Sequence, residues 1–233
     1  MFYEIILSGK NMKVKICGIN KAEFAAQADK AGADYLGLLL GITHLAEDKI
    51  SVEEGRDIVE KSGVDRRKFV MVTHLLSAEE IADILQTLGI VNVQLHDDIS
   101  IAEIQKLRNK MPHLFMMKAV HVKDERSVQE AVDLEKYVDA ILLDSRTQTR
   151  IGGTGIVCDW NISEKICRAC QKPVFLAGGL KPDTVAEAVV KVMPFAVDAN
   201  SGVEKPNGDK DVERMCAFVQ NAKIAEGTYG KSL

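Results

Sequence analysis

Val138-Asp139-Ala140-Ile141-Leu142-Leu143-Asp144-Ser145, followed by Gly152-Gly153-Thr154-Gly155 and Asp159-Trp160, is an apolar run that ends in a carboxylate and opens through glycines into a helical segment. A strand ending this way offers close backbone approach and unpaired N–H groups to an anion, so the stretch reads as a phosphate-binding turn with Asp144 at its mouth. Ala177-Gly178-Gly179-Leu180 repeats the device after the next apolar run. A single glycine pair at a strand end usually does no more than turn the chain. Two on consecutive strands point to one anion site built from both.

The same strand–helix unit recurs outward from this stretch. Short apolar strands are expected at Val14–Cys17, Tyr35–Leu40, Phe69–Thr73, Val91–Leu95, Leu114–Val120, Ala140–Leu143, Val174–Ala177 and Phe195–Val197, each followed by apolar residues at helical spacing. Ser77-Ala78-Glu79-Glu80 supplies a Ser cap with Glu three residues on, and Gly32, Gly63 and Gly89 close helices. Buried strands without strict alternation, separated by helices, make a parallel sheet; eight of them in 233 residues favour a closed (β/α)8, or TIM, barrel over an open sheet. No Pro/Gly/Ser-rich linker interrupts the pattern. The expected organisation is an N-terminal extension over 1–12, whose Phe2–Leu7 stretch reads as an extra strand, and one barrel domain over 13–233.

Composition narrows the partners. A formal charge of −4 with scattered lysines leaves no basic stripe for nucleic acid, so a small anion has to be held locally. No apolar run approaches membrane-spanning length, and the first residues lack the basic start and apolar core of a signal segment, so a cytoplasmic protein is expected. Five cysteines are an odd number, and Cys167-Arg168-Ala169-Cys170 lies in a helical pattern with no second pair at zinc spacing, which argues for reduced thiols and no structural metal. Cys158, Cys167, Cys170 and Cys216 are taken as packing residues.

A barrel of this kind carries its chemistry on the loops after the strands. Polar residues at those ends are Cys17, Thr43-His44, Thr73-His74, His96-Asp97-Asp98, His121, Asp144, and Asp198 with Asn200-Ser201-Gly202. Four of the five histidines fall on that face, His113 being the exception.

Lys15-Ile16-Cys17-Gly18-Ile19, Val93-Gln94-Leu95-His96, Leu142-Leu143-Asp144, Gly152-Gly153-Thr154-Gly155 with Asp159-Trp160, Leu176-Ala177-Gly178-Gly179-Leu180, and Val197-Asp198 with Ser201-Gly202-Val203-Glu204 resemble the signature blocks of phosphoribosylanthranilate isomerases, in the family's order and from strand one to strand eight. The resemblance implies an Amadori rearrangement in tryptophan biosynthesis, from the phosphoribosyl amine of anthranilate to a 1-amino-1-deoxyribulose phosphate, with no cofactor. Opening the ribose ring needs a general acid at the ring oxygen, and removing the C2 proton of the resulting imine needs a base. Asp144 and Cys17 match the family's acid and base. A cysteine serves as base only where enough thiolate is present, which leaves its pKa open. The resemblance also implies phosphate binding by backbone N–H groups of Gly153, Thr154 and Gly155, of Gly178 and Gly179, and by the Ser201-Gly202 turn. His96 matches a family histidine, either lining the substrate pocket or serving as a satisfied strand-end residue. Asp198 matches a position for substrate contact or for holding neighbours.

The chain departs from the family on the other side of the pocket. The loop after the second strand, Gly41 to Ser51, has no arginine where the family pairs one with the anthranilate carboxylate; His121 stands in place of another arginine, Thr73-His74 replaces a Phe-Val-Asn pattern, and Asp97 replaces the glycine after His96. The phosphosugar half is kept and the aromatic-acid half rewritten, which fits either the isomerase itself or a paralogue with an altered aglycone. Without the planar guanidinium, His44, His74 and His121 are the donors expected near the aglycone, beside Lys49 as a point charge. Weak activity on phosphoribosylanthranilate is expected, more sensitive to His44 than to Lys49. Two other readings stay open. One is a metal-dependent lyase or hydrolase using His44, His74, His96 and His121 with Asp144; the other is a barrel that binds a phosphosugar without turnover. The partner expected in each case is a small phosphorylated molecule, on a monomer or a homodimer.

Overall fold

The eight apolar runs form eight parallel strands that close on themselves in chain order: β1 (Lys13–Ile16), β2 (Tyr35–Leu39), β3 (Phe69–Thr73), β4 (Asn92–Leu95), β5 (Phe115–His121), β6 (Ala140–Asp144), β7 (Val174–Leu176) and β8 (Ala196–Ala199). The computed structural model describes residues 12–43, 48–144 and 159–229. Among these, helices α1 (Ala22–Ala31), α2 (Val52–Lys61), α3 (Ala78–Leu88), α4 (Ile101–Lys110), α5 (Arg126–Leu134), α6 (Trp160–Ala169), α7 (Val185–Val192) and α8 (Val212–Tyr229) follow the strands in turn. β3 is met residue for residue. Other boundaries move by one or two: β1, β2 and β7 end one residue early, at Ile16, Leu39 and Leu176, while β5, β6 and β8 run on because backbone pairing continues past the last apolar side chain, His121 with Asp144 and Lys15 with Asp198.

Helix ends follow local chemistry. Ser51 and Glu54 form a reciprocal box at the start of α2, the Ser51 N–H donating to Glu54 Oε2 at 2.7 Å and the Glu54 N–H to Ser51 Oγ at 3.2 Å. Ser77 caps α3 as its sequence suggests, accepting from the Glu80 N–H. Gly32 and Gly89 end α1 and α3 in the left-handed conformation at φ 96° and 62°. Asp159 accepts from two N–H groups at the start of α6, each such cap being worth about 1 kcal/mol.

Two apolar layers share the strands because side chains alternate across each one. Leu36, Leu38, Met71, Val93, Val120, Ile141 and Leu143 face outward and pack with Ile81, Leu85, Ile104, Leu107 and Val189 of the helices. Val70, Val72, Met117, Ala119, Ala140, Leu142, Phe175 and Ala196 fill the barrel interior. The register lines up this inner set, with Val72 beside Gln94, Gln94 beside Met117, Leu142 beside Phe175, and Asp198 beside Lys15. Near the carboxyl ends of the strands the inner face turns from apolar to polar, and there the functional candidates sit. At the opposite end the Met12 N–H donates to Glu226 Oε2 of α8 at 2.5 Å. The extra strand expected at Phe2–Leu7 lies outside the described residues. Among the described residues no helix is long and apolar enough to cross a membrane.

Candidate active site

Cys17 directly follows β1, buried, with its N–H donating to the Ala199 carbonyl of β8 at 2.8 Å. The alternation that points Cys17 inward does the same for Lys15, two residues earlier. Lys15 is fully buried, and its Nζ donates to Asp198 Oδ2 at 2.7 Å. Burial works against charge on Lys15, but Asp198 and Cys17 outweigh it and hold the ammonium above the ordinary lysine range. Burial pushes the Cys17 thiol up to about 11; Lys15 pulls it down, Asp198 and Asp48 raise it, and Lys210 lowers it. On Asp198 burial also pushes upward, against the pull of Lys15, and Asp144 adds to the rise. Asp198 thus senses both Cys17 and Asp144.

A second polar knot braces the same side. Asn200 Nδ2 donates to Asp48 Oδ2 at 2.7 Å, and the buried Lys210 donates to Asn200 Oδ1 at 2.5 Å and to Glu204 Oε1 at 2.6 Å. Gly18, at φ +70°, leaves the space this knot fills: a Cβ there would lie 2.3 Å from Asn200 Oδ1 and 2.4 Å from Asp48 Oδ2. The loops after β1, β2 and β8 are tied together through it.

Across the mouth, β3 to β6 present an arc of imidazoles ending in a carboxylate. His74 and His96 stack with ring centroids 5.1 Å apart, and His96 meets His121 edge-on at 5.4 Å. His96 Nε2 lies 3.6 Å from Asp144 Oδ2, and Gln94 Nε2 is 3.2 Å from His96 Nδ1. An amide N–H donated to Nδ1 leaves the ring proton on Nε2, the side that faces Asp144. His74 Nδ1 lies 3.9 Å from Asp97 Oδ2, so two residues that depart from the family pattern are neighbours.

The glycine turns lie between the two sides. Gly178 and Gly179 follow β7 at φ 87° and 70°. The Ser201–Val203 turn follows β8 so closely packed that a Cβ on Gly202 would lie 1.9 Å from the Leu180 carbonyl oxygen. The β7 and β8 turns are therefore one contiguous backbone surface.

Cys17 and Asp198 come together on one side, His74, His96, His121 and Asp144 on the other, with Gly178, Gly179, Ser201 and Gly202 at the rim. Gly153, Thr154, Gly155 and His44 lie outside the described residues, as does Cys158. His113 sits exposed between α4 and β5, away from the mouth. Among the described residues no group of three or more His, Cys, Asp or Glu is arranged to hold a metal ion; the imidazoles pack ring on ring, His74 face to face with His96 and His96 edge-on with His121. Cys167 lies on α6, Cys170 and Cys216 are free thiols, and burial, then Glu135, pushes Cys170 up to about 12. Lys49 is exposed. Lys15, Lys210 and Asp48 were not singled out by sequence. The period of two from Cys17 could have flagged Lys15, whereas nothing local links Asp48 to Asn200.

A closed parallel barrel with acid, thiol and glycine turns gathered at the carboxyl ends of its strands defines an α/β-barrel enzyme. The family model described as N-(5'phosphoribosyl)anthranilate (PRA) isomerase matches residues 14–221. N-(5'-phosphoribosyl)anthranilate isomerase 2 of Methanosarcina mazei is 38% identical over 214 residues, covering 91% of this chain and 94% of the relative, and the isomerase of Haloferax volcanii is 35% identical over 215 residues, covering 92% and 95%. The crystal structure of phosphoribosyl anthranilate isomerase from Thermotoga maritima superposes with a TM-score of 0.80 at 31% identity, covering 91% of this chain and 99% of that one. The chain belongs to the N-(5'-phosphoribosyl)anthranilate isomerase family.

Proposed function

We propose that this barrel converts N-(5'-phosphoribosyl)anthranilate to 1-(o-carboxyphenylamino)-1-deoxyribulose 5-phosphate, with Asp144 as acid and Cys17 as base. The observation that carries the reading is the family match over 14–221, with a carboxyl group and a thiol at the ends of β6 and β1 on one barrel mouth. A related isomerase structure holds the reduced form of that product, at 30% identity and a TM-score of 0.77.

Asp144 gives a proton to the ribose ring oxygen, the ring C–O bond breaks, and the anomeric carbon becomes an imine. The Cys17 thiolate takes the C2 proton, and the electron pair of that C–H bond moves into the C1–N unit to give an enolamine. Protonation at C1 and loss of the C2 hydroxyl proton then yield the ketone, so the sequence returns both protons. The phosphate rests on backbone N–H groups of the β7 and β8 turns, with Gly153, Thr154 and Gly155 contributing after β6. With the phosphate at that rim, the anthranilate ring reaches toward β3–β5, where His74, His96 and His121 are the donors. Asp97 is the carboxylate beside His74, placed to accompany its protonated form. The enzyme works in the cytoplasm, as a monomer or a homodimer.

Turnover of phosphoribosylanthranilate by the purified protein, followed by the change in fluorescence of its N-substituted anthranilate ring, tests the reading. Bound phosphosugar without conversion would reduce the protein to a binding barrel.

A further inference from the structure

Cys17 carries a burden that its surroundings must relieve. A base has to be a thiolate, yet burial holds the proton on this thiol. Four charged groups face it: Lys15 from its own strand, Asp198 from β8, Asp48 from the loop after β2, and Lys210 from the segment before α8. A fifth neighbour, Gly37 of β2, offers no side chain; a Cβ there would lie 2.7 Å from Cys17 Sγ. Lys210 is already engaged by Asn200 and Glu204. Lys15 differs. It has no exposure to water, its ion pair among the described residues is with Asp198 at 2.7 Å, and its strand alternation aims it at the same interior as Cys17. Among the described residues the buried Asp198 Oδ1 has no hydrogen-bond partner, and Lys15 holds the carboxylate through Oδ2.

We propose that Lys15 is a positioning residue for the reaction: its buried ammonium, anchored by Asp198, is the counter-charge that stabilises the Cys17 thiolate from inside the barrel. The inference rests on the assignment of Cys17 as base. No proton leaves Lys15. The thiol proton goes to water, the thiolate takes the C2 proton of the substrate and forms S–H, and Lys15 divides its N–H groups between Asp198 and the sulfur. Asp198 has the opposite electrostatic effect on Cys17, so it anchors the lysine while limiting how far the thiol falls.

The two partners therefore make opposite predictions. Titrate Cys17 by far-ultraviolet thiolate absorbance, taken as the difference from Cys17→Ala, in the full-length protein, and follow kcat and KM with pH in the same variants. Lys15→Met is expected to move the thiol midpoint up by about one unit or more, with kcat at neutral pH down by about tenfold. Asp198→Asn is expected to move the midpoint down. A variant that disturbs the barrel alone would not give shifts of opposite sign. Should Lys15→Met fold poorly because Asp198 is left unpaired, the double variant Lys15→Met/Asp198→Asn removes both charges, and its midpoint is expected above that of Asp198→Asn. Unchanged midpoints, or shifts of the same sign, would overturn the role of Lys15. Normal turnover by Cys17→Ala, with the opposed shifts intact, would instead overturn the assignment of Cys17 as base.

Discussion

Gly202→Ala is a small change with a large geometric demand. The backbone there is not in the left-handed region, so alanine carries no conformational penalty; the difficulty is space. Its Cβ would lie 1.9 Å from the Leu180 carbonyl oxygen and 3.0 Å from the carbonyl carbon. An ordinary carbon–oxygen contact is about 3.3 Å, so the β8 turn and the β7 turn must part by roughly 1.4 Å. Backbone on both sides leaves no flexible side chain to yield. If those turns together hold the phosphate, parting them removes at least one N–H from the anion. A hydrogen bond to a charged group is worth about 1.5–3 kcal/mol, a factor of about ten to a hundred in affinity. Steady-state kinetics on phosphoribosylanthranilate should show KM raised by that factor and kcat lowered less, since Cys17 and Asp144 stand on other strands. Calorimetric binding of inorganic phosphate should weaken in parallel. A folded Gly202→Ala enzyme with unchanged KM and unchanged phosphate affinity would refute the placing of the phosphate at this rim.

Gly37→Ala sets a Cβ 2.7 Å from Cys17 Sγ and 3.1 Å from its Cα; overpacking of this kind costs about 1–3 kcal/mol, and thermal unfolding should fall by several degrees while kcat drops more than KM changes. Imidazoles that hold the aglycone carboxylate do so when protonated, so KM should rise as pH increases from about 6 to 8, and His74→Gln or His121→Gln should flatten that rise; a KM independent of pH and of both histidines counts against the imidazole arc. Cys170, with its thiol pushed up to about 12, should resist iodoacetamide at neutral pH in the folded protein and react once the protein is unfolded, as mass spectrometry of the labelled peptide would show.

The fold was legible because it is written in period. Eight apolar runs with helical spacing between them leave little choice but a parallel barrel, and each run appears as a strand within two residues of its expected place. The candidate site was legible where chemistry lies next to backbone shape: Cys17 before Gly18, and the glycine pair that follows Ala177. Where the candidate site draws on residues far apart in sequence, local pattern gave no warning. Asp48 meets Asn200, 152 residues away, and only the closure of the barrel joins them. Lys15 was hidden for another reason. A lysine in a strand is ordinarily read as an exposed residue, and its burial becomes expected only once Asp198 is known to stand beside it in register. His74 and Asp97 read as separate departures in the sequence, whereas the parallel pairing of β3 with β4 makes them neighbours.

The central claim is that Cys17 and Asp144 move protons on a phosphoribosyl amine, and the direct measurement is steady-state turnover of phosphoribosylanthranilate by the purified wild-type protein, Cys17→Ala and Asp144→Asn. The account predicts conversion by the wild type, with kcat reduced by about two or more orders of magnitude in each variant and KM close to that of the wild type, because both groups act in the transition state. A folded wild type that binds the substrate without converting it, or variants that turn over at the wild-type rate, would contradict it.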